Sequence, residues 1–246
     1  MMRRETIQVR DLSIGYIGKH SVTTVAEGIT DTIYSGELTC LLGENGAGKS
    51  TLLRTLAAFQ PALKGEISIL GKPLSEYGVK ELATVIGVVL TERSSIQNMT
   101  VEELVGMGRS PYTGFWGRLT PEDHAVVSSA MEMVGITALR GRMVQTLSDG
   151  ERQKTMIAKA LAQETPIIFL DEPTAFLDYP SKVEILHLLH RLSSEAGKTI
   201  FLSTHDLELA LRVTDRIWLM AKGKGVQIGL PEDFIIEPET GRFHFK

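Results

Sequence analysis

An apolar run, Leu38–Leu42, leads directly into Gly43-Glu44-Asn45-Gly46-Ala47-Gly48-Lys49-Ser50, and a helix-patterned stretch follows at once. No other feature restricts the fold as strongly. The eight residues match G-x-x-x-x-G-K-[ST], a loop that works only between a strand and a helix. Its glycines let backbone N–H groups turn inward around a phosphate. The helix behind them adds about half a positive charge at its N-terminus. Lys49 is placed to reach β- and γ-phosphates, and Ser50 to ligate Mg²⁺. Leu38–Leu42 has the length of a buried strand, and Lys49–Phe59 carries Leu52, Leu53 and Leu56 on one helical face. A glycine-rich turn that matched by chance would lack this setting. Residues Gly43 through Ser50, with Thr51, are therefore the candidate nucleotide-binding loop.

The rest of the chain supplies an α/β domain around that loop. Ile7–Leu12, Val22–Ala26, Glu66–Leu70, Val85–Leu90, Ile167–Leu170, Thr199–Ser203 and Arg216–Met220 read as strands. Ser181–Ser193 and Asp206–Arg212 read as helices. Alternating strands and helices imply a largely parallel sheet. Between about residues 94 and 154 the texture turns helical, with Val101–Met107 and Glu122–Val134, the latter started by Pro121 and stopped by Gly135. This segment reads as an insertion. With 246 residues, one large domain with an insert is the expected organisation.

Composition narrows the function. A net charge of −4 argues against a general nucleic-acid binder. No apolar run approaches the ~20 residues of a membrane helix, and Met1–Gln8 shows no apolar leader core. The single cysteine, Cys40, excludes an internal disulfide and fits a reducing compartment. Its place within Leu38–Leu42 makes it a small core residue.

Three further motifs carry chemistry. Ile167–Leu170 is a short apolar strand ending in Asp171 and Glu172. Ligands of parallel sheets bind outside such carboxyl ends. Asp171 suits a hold on Mg²⁺, and Glu172 is placed to take a proton from attacking water. Taken alone, the two acids would equally suit a solvated turn. Leu147-Ser148-Asp149-Gly150-Glu151 is a second serine–glycine turn entering a second helix. It is suited to phosphate, and Ser148 with Glu151 also spells a plain capping box. His205, in Ser203-Thr204-His205-Asp206, stands at another strand end, where it would reach a γ-phosphate and its water. A lone histidine there would more often be a satisfied polar residue; the neighbouring motifs change that.

In this order the motifs make the chain resemble, over essentially its whole length, the ATP-binding subunits of ABC transporters. By that resemblance Gly43–Ser50 is similar to Walker A, Leu147–Glu151 to the family signature, Ile167–Glu172 to Walker B, and His205 to the switch histidine. Asp178, in Ala175-Phe176-Leu177-Asp178, is similar to the D-loop acid. Tyr16 falls where the family stacks an aromatic ring on adenine; a half-buried strand-end tyrosine is its plainer alternative. The resemblance implies a P-loop ABC ATPase core with a mostly parallel sheet, an antiparallel β subdomain and an inserted helical subdomain. The core would be residues 1–93 and 155–246, the helical part about 94–154. It implies a homodimer sandwiching two ATP with Mg²⁺, each ATP lying between Walker A of one copy and Ser148 and Gly150 of the other. It also implies transmembrane permease partners, a substrate-binding protein in the same system, no nucleic acid, and a peripheral place on the cytoplasmic face of the membrane.

The pattern departs from the family at two places. Asp149 stands where the signature has glycine. The Q-loop glutamine, expected after Val85–Leu90, is missing: ungapped counting puts Thr91 there, with Glu92 next. Thr91 offers a weak oxygen ligand, and Glu92 a charged one better suited to a hard cation. Met99–Val105 and Gly108-Arg109-Ser110-Pro111-Tyr112 resemble importers of iron–siderophores, haem and cobalamin. Tyr112, Phe115 and Trp116 are candidates either for docking a membrane subunit or for packing within the insert. A soluble ABC ATPase scaffold for iron–sulfur assembly would share every nucleotide motif, but not the importer-like insert. A nucleic-acid ABC ATPase would need paired cassettes, zinc cysteines or a coiled coil.

Overall fold

The structure is a computed structural model and describes residues 4–18, 21–90, 96–222, 225–236 and 243–245. In chain order the first elements are β1 (Glu5–Ile17), β2 (Val22–Tyr34), β3 (Leu38–Gly43), α1 (Lys49–Leu56), β4 (Lys64–Ile69) and β5 (Lys72–Pro73). Next come α2 (Val79–Leu82), β6 (Ile86–Val89), α3 (Val101–Gly106), α4 (Pro121–Met133), α5 (Asp149–Ala162), β7 (Ile167–Leu170) and α6 (Tyr179–Ser194). The chain continues with β8 (Thr199–Thr204), α7 (Leu207–Val213), β9 (Arg216–Ala221), β10 (Gly225–Gly229), β11 (Phe234–Ile236) and β12 (Phe243–Phe245). Among the described residues no helix is long and apolar enough to cross a membrane. The chain divides into two compact units, Met1–Tyr77 with Leu189–Lys246, and Gly78–Leu188.

In the first unit, β3 runs parallel to both β8 and β9, and β10 closes the far side antiparallel to β9. The strands that enclose β3 are apolar on both faces. Leu38, Cys40, Leu41, Ile200, Phe201, Leu202, Ile217 and Trp218 are all fully buried, as expected of parallel strands covered on two sides. Helix α1 brings Leu52, Leu53 and Leu56 into the same core.

A separate antiparallel sheet has the order β2-β1-β4-β5. Along β1 the buried aliphatic side chains are Ile7 and Val9, then Leu12 and Ile14, so their alternation changes phase in mid-strand. Asp11, at φ 45°, sits in the register break that absorbs the extra residue. A bulge of this kind lets one long strand keep its apolar side chains on one face. Arg216 on β9 donates from Nε to Glu37 (2.7 Å) and from Nη1 to Asp31 (3.2 Å), while Trp218 Nε1 donates to Asp31 (2.9 Å). This half-buried network clasps β2 of the antiparallel sheet to β9 of the parallel one.

In the second unit β6 and β7 pair in parallel. Helices α3, α4 and α5 pack on one another, and each opens with a capping box: Thr100 with Glu103, Thr120 with Asp123, Ser148 with Glu151. Satisfying the first-turn N–H groups this way stabilises helices of only 6 to 14 residues. Arg109 is buried and ties the insert to the end of α5. Its Nε donates to Asp123 (2.8 Å), and its Nη1 donates to the Ala162 carbonyl (2.8 Å) and to Glu164 (2.6 Å).

Candidate functional site

The phosphate loop belongs to the first unit. Paired Leu42 and Thr204 are the last register partners of β3 and β8, so Gly43 and His205 leave the same carboxyl edge one residue later. Gly48 caps α1 in the left-handed region, at φ 109°. A Cβ there would lie 2.2 Å from Val25 Cγ1, and one on Gly43 would lie 2.5 Å from the Met220 carbonyl oxygen. The backbone between them is thus shaped by close approach that any side chain would block. Such a concave run of N–H groups at a helix start fits a polyphosphate.

Lys49 is only 5% exposed, and its Nζ donates to the carbonyls of Gly43 (2.8 Å) and Glu44 (3.3 Å). The ammonium is therefore already folded over the loop it would serve. Ser50 is exposed at the first turn of α1, and Thr51 is buried. Beneath the loop, burial pushes the Cys40 thiol far above its ordinary range, the Lys49 charge only partly opposing this. Cys40 is a neutral core residue.

Tyr16 lies near the end of β1 and is 55% exposed, and its hydroxyl shares a hydrogen bond with Thr51 Oγ1. The ring is tethered to the first helix turn after the phosphate loop. Beside it Gly15 lets β1 and β2 approach closely, because a Cβ at that position would lie 2.0 Å from the Thr23 carbonyl oxygen. The sequence points to Tyr16 but not to the tether, which joins residues 35 apart. His205 is exposed at the end of β8, and the Asp206 N–H closes the turn on Thr204 Oγ1 (3.1 Å).

The second unit holds the other motifs. Asp171 follows β7 directly, its N–H donating to the Val89 carbonyl (2.9 Å). Glu172 is held at φ 44°, a left-handed conformation seldom adopted by a residue with a side chain, and the Ala175 N–H donates to its carbonyl (3.0 Å). Strain of this type concentrates where a side chain is aimed for function. Thr91 and Glu92 lie outside the described residues, immediately beyond β6 and Leu90.

Ser148 is the N-cap of α5. Its N–H (2.9 Å) and hydroxyl (3.1 Å) donate to one oxygen of Glu151, while the Glu151 N–H donates back to the hydroxyl (3.3 Å). The Ser148 N–H, followed by burial acting the other way and then the Ser148 hydroxyl and Arg142, holds the Glu151 carboxyl below the usual carboxylate range. Asp149 is exposed at the first helical position. A Cβ on Gly150 would touch Ser181 Oγ at 3.4 Å. Ser181 in turn donates its N–H to Asp178 Oδ1 (3.1 Å), and Ser181 lowers the Asp178 carboxyl. The fold thus brings the signature turn and Asp178 together at the starts of α5 and α6.

Of the three aromatics in the insert, Tyr112 packs on its own unit. Its hydroxyl donates to the Gln163 carbonyl (2.9 Å), and the Arg109 guanidinium lies over its ring at 4.1 Å. Phe115 and Trp116 are 95% and 82% exposed and meet edge to face. Among the described residues no group of His, Cys, Asp and Glu gathers into a metal cage. The hydroxyl of Ser50 in the first unit and the carboxylate of Asp171 in the second are each oxygen donors of the kind Mg²⁺ takes, an ion that commonly uses few protein ligands and completes its shell with phosphate and water.

Residues 26–175 match the family described as ABC transporter. The ABC transporter ATP-binding protein MJ0873 of Methanocaldococcus jannaschii is 43% identical over 92% of this chain and 77% of its own length. The ferric enterobactin transport ATP-binding protein FepC of Escherichia coli K12 is 40% identical over 91% of this chain and 81% of its own. Among solved structures, the dimeric post-hydrolysis state of the cassette MJ0796 bound to ADP and Pi superposes with a TM-score of 0.77 at 26% identity, covering 92% of this chain and 98% of that one.

Proposed function

The chain belongs to the ABC transporter family and is an ABC-type ATP hydrolase, and from that premise we propose that it powers an importer of iron–siderophore complexes. The observation that carries the nucleotide chemistry is the loop itself: glycines shaped by close approach, with buried Lys49 already drawn across them. Gly43–Thr51 hold the phosphates, and Tyr16 supports the adenine. Ser50 and Asp171 hold Mg²⁺, with Thr91 or Glu92 as a further ligand; the ion would neutralise the phosphate oxygens and orient the attack. Glu172 accepts a proton from the attacking water. His205, leaving the same sheet edge as Gly43, contacts the terminal phosphate.

Two copies associate head to tail. Ser148 and Gly150 of each meet the terminal phosphate of the ATP held by the other, and Asp178 orders the adjoining turn. A dimeric relative holding ADP and Pi supports this arrangement. Closure on ATP and reopening after hydrolysis drive transmembrane permease subunits, against which Phe115 and Trp116 dock, and a substrate-binding protein delivers the cargo. The siderophore reading rests on the likeness to FepC. The chain then works at the cytoplasmic face of the membrane through its permease.

The test combines hydrolysis and association. Glu172→Gln lowers turnover at least ~10²-fold, the loss typical of a general base, and accumulates an ATP-bound dimer on size exclusion. Lys49→Ala weakens nucleotide binding instead. Near-normal turnover in Glu172→Gln removes Glu172 from its role. Restored uptake of ferric siderophore in a strain lacking its own ATPase subunit, lost again on Lys49→Ala, tests the cargo class.

A further inference from the structure

We propose that Arg142 is a positioning residue for the proposed reaction: acting through Glu151, it holds Ser148 and sets the charge of the turn that receives the terminal phosphate. The inference rests on the reading above, in which Ser148 and Gly150 face ATP bound by a second copy.

The hydrogen bonds around Ser148 carry it. Arg142 Nη1 donates to Glu151 Oε1 (3.0 Å), and Nη2 donates to the Thr146 carbonyl (2.9 Å). Both arms of the guanidinium are used, which fixes its orientation as a lysine could not. Its backbone is held as well: the Arg142 N–H donates to Leu139, and the Arg142 carbonyl accepts from the first residue of α3, Val101 (both 2.9 Å). The cation is thus carried by a rigid part of the insert and presented to α5 from outside that helix.

Oε2, the other oxygen of Glu151, takes both the N–H and the hydroxyl of Ser148. That hydroxyl has a single proton. To donate it to a phosphate, Ser148 must withdraw it from Glu151. The carboxylate then keeps the Ser148 N–H and the Arg142 guanidinium, so it stays paired and in place. Asp149 adds a second exposed carboxylate at the same helix end. Without Arg142, two uncompensated anions would face the incoming phosphate. A glutamine in place of Glu151 would need no counter-charge; this chain has an acid there and an arginine built against it.

Steady-state hydrolysis is measured for the unvaried chain, Arg142→Gln, Arg142→Lys, Glu151→Gln and the Arg142→Gln/Glu151→Gln double variant. Arg142→Gln raises the ATP concentration for half-maximal rate about fivefold, the upper end for a partly exposed ion pair, and changes the saturated rate less than twofold. The same substitution made in the Glu151→Gln background changes it less than about 1.5-fold, because there is no charge left to neutralise. The fivefold effect shrinks in ~0.5 M salt. Arg142→Lys keeps the charge and loses less than Arg142→Gln; it also serves if the glutamine variant melts too low to assay. An equal loss in both backgrounds overturns the inference and makes Arg142 a structural anchor for the Thr146 turn. A loss confined to the saturated rate overturns it too. If the unvaried chain hydrolyses no ATP, the parent reading falls and takes this inference with it.

Discussion

Removing the Tyr16 ring separates the proposed adenine stacking from the observed tether to Thr51. The residue is 55% exposed, so of the roughly 200 Å² such a residue offers about 110 Å² is open to a partner. A base stacked on one face covers about half of that, ~55 Å², worth ~1.4 kcal/mol. This lies within the ~1–3 kcal/mol measured for base–aromatic stacking. Tyr16→Ala should therefore weaken ATP binding about tenfold. Tyr16→Phe keeps the ring but releases it from Thr51. Stacking alone would leave phenylalanine nearly silent; the tether to Thr51 changes that expectation. The freed ring must be ordered on binding, at ~0.5–1 kcal/mol, so a two- to fivefold loss is expected. Thr51→Val removes the other half of the same bond. It should cost as much as Tyr16→Phe, and the double variant no more than either single one. Affinities come from titration of each variant with a fluorescent ATP analogue in the absence of turnover. A loss in Tyr16→Phe equal to that in Tyr16→Ala would refute stacking. Additive losses in Tyr16→Phe and Thr51→Val would refute the tether.

Gly48→Ala places a side chain at φ 109° against Val25 and Met220; it should cost at least ~2 kcal/mol, lower the melting temperature by about 4–8 °C and abolish nucleotide binding, and an unchanged melt would contradict the crowding. Asp123 is held below the usual carboxylate range first by the Thr120 N–H and then by Arg109. Its stabilisation is complete above the ordinary carboxylate range near pH ~4 and is lost as pH falls through its lowered folded value. Melting curves from pH 7 to 3 should therefore fall more steeply for the unvaried chain than for Asp123→Asn. For the position of the missing Q-loop glutamine, Mg²⁺ titration of the hydrolysis rate should shift in Glu92→Gln if the carboxylate is the ligand, or in Thr91→Val if the hydroxyl is; two unmoved curves would remove the loop from metal binding.

Local chemistry made most of this protein legible in advance. The strand Ile167–Leu170 and the loop Gly43–Ser50 lie where their residues require, because an apolar run of four or five with a glycine or acidic break has few other uses in an α/β chain. Thr120-Pro121 and Ser148 to Glu151 announce helix starts for the same reason: the N–H groups they satisfy are neighbours in sequence. Strand lengths were less legible. β1 runs from Glu5 to Ile17 although its alternation breaks at Asp11, since a bulge and a partner on each side can carry a strand through a change of phase. β10, of five residues, and the three-residue strands β11 and β12 are too short for their alternation to stand out and exist through their partners.

The remainder depends on contacts between residues far apart in the chain, which no local pattern encodes. The tether from Tyr16 to Thr51, the bond of Trp218 to Asp31, and the grip of Arg109 on Asp123 and Glu164 join positions 14 to 187 residues apart. Gly15 and Gly48 are ordinary glycines until a neighbouring backbone or side chain occupies the space a Cβ would need. The sequence by itself determined that the chain carries a phosphate loop, an acidic strand end and a second helix-capping turn. Which groups hold Tyr16, Arg109 and Trp218 in position was decided by tertiary structure, because hydrogen bonds and steric crowding act over a few ångströms of space whatever the distance along the chain.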